Sequence, residues 1–311
     1  MAAARPLTKV LVLGLALAAA RVSLARAEGP SGGMLSFVFD DGFETDRTIA
    51  LDIFRSEGCV ASTAIIVDRI GEPGYMDRGQ IAELQDSGWE VMSHTLSHPD
   101  LSRLDDASLD AELSGSLRAL RAMGFEVRDL VYPGNRSDKR VEELAGRYYL
   151  AARGGGKRLD DALTPRTRLR SYEIKYDLKA IEALIDQAAS EGKWLILYHH
   201  RMFEKLQIGE RNGKFETDEE VAFSPSGAVG LFEPTLWNRI GNSLYIVPVS
   251  GEAAAGDVAV GRTSGARAEV KGIGADDREI LRSLIEYDKA AHPGMPIVTV
   301  ERGALELGMG E

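Results

Sequence analysis

The feature that most constrains this chain is a repeated alternation between short apolar runs and amphipathic segments. Residues 34–39, 59–67, 89–92, 130–132, 148–152 and 194–198 are nearly continuous in apolar or β-forming side chains, as strands buried on both faces are. Between them, 46–57, 77–87, 106–123, 137–146 and 177–190 carry apolar residues at helical spacing. Leu109, Leu113, Leu117 and Leu120 fall on one face, as do Leu178, Ile181 and Ile185. Gly58, Gly88, Gly124 and Gly192 follow four of these segments, where a helix commonly ends in a left-handed residue. Strand and helix in this order predict an α/β fold, a parallel sheet covered by helices, either doubly wound or closed into a barrel. Chemistry in such folds gathers at the carboxyl ends of the strands.

The rhythm breaks between residues 202 and 275, where Gly, Pro, Ser and charged residues interrupt short β-like pieces. An irregular insertion, a loop or hairpin over the site, is the expectation there. The pattern returns with a helix at 276–291, a strand at 297–300 and a short terminal helix. One catalytic domain spanning 28–311 with this insertion fits better than two domains. The first 27 residues differ in kind: Arg5 and Lys9 precede an apolar run, and Ala25-Arg26-Ala27 offers a small-x-small cleavage site. This is the pattern of a secretory signal peptide, cleaved near Ala27 to give a secreted or periplasmic protein, and is too short for a stable membrane span.

Without that segment the chain has 33 basic against 48 acidic residues, a balance that argues against nucleic acid or anionic membrane as partner. A single cysteine, Cys59, excludes an internal disulfide, and its apolar surroundings predict a buried small residue and not a nucleophile. The glycine-rich stretch 153–157 has no Lys-Ser or Lys-Thr after it, so it reads as a loop and not a phosphate cradle.

Asp40 and Asp41 close the first apolar run and precede Gly42. An Asp-Asp-Gly sequence is ordinary turn chemistry, but two acids at a strand end can also face different partners, one a cation and the other a proton. His94 and His98, four apart after the third run, can be brought to one side by a single helical turn and so ligate one metal. Of five histidines, His94, His98, His199 and His200 all follow predicted strands, whereas His292 precedes Pro293-Gly294 in a loop. Two imidazoles and one carboxylate suit zinc or another divalent transition metal with a position open for water. A second carboxylate can take the proton of that water, and a histidine opposite can give one to the leaving group. Asp40 and His199 are available for these two tasks.

Phe39-Asp40-Asp41-Gly42, Ser93-His94-Thr95-Leu96-Ser97-His98 and Leu195-Ile196-Leu197-Tyr198-His199 together resemble the first, second and fifth motifs of the polysaccharide deacetylases, the NodB-homology domain of carbohydrate esterase family four. The resemblance covers roughly residues 34–202. It implies a distorted (β/α) barrel with fewer than eight regular strands and metal-dependent removal of acetyl groups from N-acetylated sugars. Carried across, it makes Asp41, His94 and His98 the metal ligands, Asp40 the general base and His199 the general acid. His200 stands where many members have an acid or glycine, and a structural role is favoured for it. Tyr132-Pro133-Gly134 resembles the third motif, with the Gly134 N–H offered to the oxyanion. The family arginine two residues before that proline is Val131 here; Arg153, or failing it Arg136, is the candidate to replace it beside the base. The fourth motif, expected near Ser171-Tyr172-Glu173, has no match.

These readings imply an exported hydrolase that removes N-acetyl groups from N-acetylglucosamine-containing polysaccharide or peptidoglycan, with a carbohydrate polymer or oligosaccharide as partner. The alternatives are a sugar O-acetylesterase or small-amide hydrolase on the same fold, and a non-catalytic carbohydrate-binding protein.

Overall fold

The structure, a computed structural model, describes residues 32–174, 177–232 and 242–309. The expected signal segment, 1–27, lies outside the described residues. Strands β1 (Met34–Phe39), β2 (Ser62–Ile65), β3 (Glu90–Ser93), β4 (Leu130–Val131), β5 (Ala152–Arg153), β6 (Tyr172–Glu173) and β7 (Trp194–His199) form one sheet in the order β5-β4-β3-β2-β1-β7-β6. Every pairing within it is parallel. Helices α1 (Leu51–Ser56), α2 (Arg78–Asp86), α3 (Asp106–Ala122), α4 (Lys139–Tyr148) and α5 (Leu178–Glu191) supply the crossovers that parallel strands require. Asp77, Asp105, Asp138 and Asp177 cap α2 to α5, each accepting a backbone N–H of the first turn.

The sheet curls. β1 and β5 stand four places apart, about 19 Å in a flat sheet at ~4.8 Å per strand, yet Asp40 just past β1 and Arg153 on β5 are in hydrogen-bond contact. The α/β fold is thus a parallel sheet bent into a half-barrel. Its convex face packs on the helices through Leu35, Phe37, Phe39, Val91 and Leu195. Its concave face holds a smaller core of Met34, Val38, Met92, Val131 and Ile196, with Trp194. Cys59 is half-buried, and burial pushes its thiol up, which suits an inert side chain.

The segment expected to be irregular, 202–275, is regular among its described residues. Strands β8 (Glu204–Ile208), β9 (Glu220–Ser224), β10 (Val229–Phe232), β11 (Ser243–Ser250), β12 (Val258–Gly261) and β13 (Arg267–Asp276) close into a barrel in the order β10-β11-β8-β13-β12-β9. It encloses its own core of Leu206, Val221, Phe223, Leu244, Ile246 and Val270. Its strands alternate inward and outward residues in short pieces between turns, a pattern weaker per segment than a fully buried parallel strand. Among the described residues, closure leaves this unit without an open strand edge.

After β13 the chain returns to the half-barrel as α6 (Asp277–Ala291), capped by the Asp276 side chain, and then as α7 (Val300–Glu306). The strand expected at 297–300 is reduced to a single parallel bridge between Leu35 and Ile297, because the helix begins at Val300 and sends Val300 and Ala304 into the concave core. Among the described residues no helix is long and apolar enough to cross a membrane.

Candidate active site

The sheet's alternation decides which side chains meet. Val38 faces the concave core and Phe39 the helices, so Asp40 turns back to the concave side. The same count along β3 puts Met92 on the concave side and Ser93 towards α3, where its hydroxyl meets that of Ser116 at 2.8 Å; His94 then faces inward. Asp41 and Gly42 both take positive φ, 77° and 75°, so the chain turns sharply straight after β1. For an aspartate this is an uncommon backbone state, and such strain is held at functional sites when the surroundings over-determine it.

His94 and His98 are not on a helical turn as expected. Residues 94–98 form a bend with Thr95 and His98 in the left-handed region, at φ 69° and 62°. The Glu112 carboxylate on α3 ties the bend down, accepting from the Leu96 and Ser97 amides at 2.9 and 3.0 Å and from the Ser97 hydroxyl at 2.6 Å. The two imidazoles still come together, with ring centroids 4.7 Å apart. His94 Nε2 lies 3.3 Å and His98 Nε2 3.5 Å from Asp41 Oδ1.

These three donor atoms all lie within 4.8 Å of one another, and among the described residues they are the group able to hold a metal ion. Two ligands at ~2.1 Å from one ion and 90–110° apart stand about 3.0–3.4 Å from each other, close to the separations from Asp41 to each histidine. His94 Nδ1 is 2.8 Å from the Val131 carbonyl, to which it donates, leaving the Nε2 lone pair for a metal. Burial works against the Asp41 carboxylate, but the hydrogen bond and charge of His94, with the charges of His200 and His98, keep its carboxyl below the ordinary range. Burial and the neighbouring His94 depress His98, against the pull of Asp41 and Asp40, which favours the neutral imidazole a metal needs. The donor set fits a divalent ion.

Asp40 is buried and receives a hydrogen bond at Oδ1 from Arg153 Nη2. Arg153 is itself fully buried, donates from Nη1 to Asn135 Oδ1 and Ser171 Oγ, and lies 4.9 Å over the Tyr198 ring. Arg136, the second candidate, instead bonds Asp100 Oδ2 at 3.1 Å on the surface. Gly134 follows β4 in an exposed turn with φ 59°, one residue before Asn135. A further acid, Asp46, is wholly buried; burial, and then the charges of Asp41 and Asp40, push its carboxyl well up against a hydrogen bond from Thr63.

His199 is not brought to this group. On β7 it follows Tyr198, which faces Arg153, and so it points to the helix side, stacked on Phe39 with ring centroids 6.5 Å apart. Its Nε2 lies 3.5 Å from Asp277 Oδ2, and its Nδ1 accepts the His200 amide at 2.8 Å. Burial alone would lower this imidazole, but the hydrogen bond and charge of Asp277 outweigh it and raise the pKa. Asp277, Asn135, Ser171 and Glu112 went unrecognised in the sequence. No periodicity or spacing links them to the motifs, since each contact spans separate elements.

The half-barrel thus carries an Asp-His-His cluster beside a buried Asp-Arg pair. Residues 27–152 match the family model for polysaccharide deacetylase. Among curated proteins it is similar to a putative polysaccharide deacetylase, YxkH, of Bacillus subtilis (strain 168), at 24% identity over 127 residues, 40% of this chain and 46% of that one. The chain therefore spans about half the length of this relative. Among solved structures it is similar to the Streptococcus pyogenes deacetylase PplD in complex with acetate, with a TM-score of 0.47, 20% identity, and coverage of 50% of this chain and 69% of that one. It is also similar to the Xyl-CE4 domain of a multidomain xylanase from the hindgut metagenome of Trinervitermes trinervoides, with a TM-score of 0.48, 13% identity, and coverage of 89% and 92%.

Proposed function

We propose that this chain is an exported, metal-dependent deacetylase that removes N-acetyl groups from N-acetylglucosamine-containing polysaccharide or peptidoglycan. The observation that carries the reading is the Asp41, His94 and His98 cluster beside an Arg153-bound Asp40. A divalent ion, most readily zinc, would be held by Asp41, His94 and His98; when bound it lowers the pKa of water to about 7 and polarises the substrate carbonyl.

The chain's own groups do the rest. Asp40 takes the proton of the attacking water, and Arg153 holds its carboxylate in place. Asn135 and Ser171 fix the guanidinium, so the base does not have to be reoriented at each turnover. The Gly134 N–H is offered to the oxyanion formed on attack. O-acetyl esters and small amides would share this water attack, which makes the choice of substrate the decisive measurement. The test is acetate release from N-acetylated chito-oligosaccharides by protein of known zinc content; a fully metallated protein inactive on every N-acetylated glycan refutes the reading.

A further inference from the structure

We propose that His200, and not His199, is the residue that protonates the leaving nitrogen, and that His199 with Asp277 is a buried tie between the half-barrel and the returning helix α6. The inference rests on the deacetylase reading and assigns a role within it. Along β7, Trp194, Ile196 and Tyr198 belong to the concave core, while Leu195 and Leu197 belong to the helix side. His199 continues the helix-side series and His200 the concave one. His200 packs edge-on against Tyr198, ring centroids 5.6 Å apart, and Tyr198 in turn lies against the Arg153 that holds Asp40. His200 is also exposed, and it stands near enough to Asp41 and His98 to influence both electrostatically.

His199 offers none of this. Both of its ring nitrogens are engaged, one with Asp277 and the other with the chain's own amide. Asp277 Oδ2 also accepts the Phe203 amide at 2.8 Å, so the pair sits where β7 leaves for the barrel and α6 returns from it. The pair and His200 both border a cavity of about 610 Å³ that Phe203, Lys205 and Tyr245 of the barrel side also line, so it is the facing of the two rings, and not this cavity, that separates them.

In the proposed step the water oxygen bonds to the carbonyl carbon and its proton passes to Asp40. The carbon–nitrogen bond then breaks with its electron pair going to nitrogen, which takes the proton of the His200 imidazolium. Acetic acid and amine result, the second proton of the water passes to the amine so that acetate and ammonium leave, and the Asp40 proton is passed on to restore His200. A leaving group that needs no proton separates this role from a structural one.

The experiment compares the zinc-loaded wild type with His200→Gln, His199→Gln and Asp277→Asn on an N-acetylated chito-oligosaccharide and on p-nitrophenyl acetate. His200→Gln is expected to lose about 10²–10⁴-fold in kcat on the amide, with KM, zinc content and aryl acetate hydrolysis retained. His199→Gln and Asp277→Asn are expected to keep amide kcat within a few-fold, with lowered thermal midpoints. Should His199→Gln fail to fold, Asp277→Asn, which keeps an acceptor for Phe203, answers the same question. Full amide activity in His200→Gln, loss of its zinc, or an equal loss of amide kcat in folded His199→Gln or Asp277→Asn overturns the assignment. A wild type that releases no acetate from any N-acetylated glycan refutes the deacetylase reading and the assignment with it.

Discussion

Arg153 on β5 donates a hydrogen bond to Asp40 just past β1 across the concave face, although the two are 113 positions apart in sequence. Both side chains are almost entirely removed from water, so each is the other's principal compensation for lost solvation. Arg153→Met leaves a buried carboxylate without its cation, and the expected cost is about 3–5 kcal/mol of stability. Arg153→Lys keeps the charge but cannot serve Asp40, Asn135 and Ser171 together, so an intermediate loss is expected. Denaturant midpoints and deacetylation rates of the two variants check this; a stable, fully active Arg153→Met contradicts it.

Metal binding should be visible as stability. Zinc at a hundredfold excess over its Kd should add about 2.7 kcal/mol to the folded state, and a chelator should remove that increment. In His94→Ala the increment should vanish, measured as the shift in thermal midpoint on titration with zinc. A shift of wild-type size in that variant would remove His94 from the ligand set.

Glu112 touches none of the proposed ligands, yet it pins the bend that carries His98. Glu112→Ala is expected to weaken zinc affinity about 10–100-fold, the usual cost of losing a group that orients a ligand. Calorimetric titration reads this directly. Unchanged affinity would mean that the bend holds its shape without the carboxylate.

Asp288 on α6 is almost fully buried, and neither carboxylate oxygen has a hydrogen-bond partner among the described residues. Burial, only partly offset by His292 and Lys289, pushes its carboxyl up to about 6. A raised acid binds its proton more tightly when folded, so the penalty is absent below the unfolded value near 3.8 and fully present above about 6. Asp288→Ala should therefore stabilise the protein at pH 7.5 by about 1–3 kcal/mol, with the gain shrinking towards pH 4. Thermal midpoints of both proteins across that range decide; a gain independent of pH would point to helix propensity alone.

Gly303 on α7 lies against Trp194 so closely that a Cβ there would stand 2.5 Å from the indole ring. Trp194 is fully buried and donates from its ring N–H to Ser36 at 2.9 Å, so it cannot move aside freely. Gly303→Ala should cost about 1–3 kcal/mol by overpacking. A midpoint within error of wild type would show that α7 can shift outward.

Much of the half-barrel was legible. The strands read from 34–39, 89–92 and 194–198 fall within a residue or two of β1, β3 and β7, because continuous apolar runs bounded by glycine have few alternative fates. The small barrel was not, since its strands pair antiparallel across 202–275 in pieces of four to ten residues whose signal is diluted by turns. Arg153 was nameable as a candidate from its strand-end position. The histidine pair was named as well, but on a helical turn that the structure replaces with a bend held by Glu112.

The sequence by itself determined the order of strands and helices, the acids at the end of β1, and the two histidines after β3, because these rest on local pattern and short spacing. Only the tertiary structure decided what each of them faces. Alternation along β7 separates His199 from His200 by half a turn of the strand, and the sheet's curl joins β5 to the end of β1. Both are consequences of how side chains are divided between the two faces of a bent sheet, a division that depends on register and curvature and that no single segment encodes.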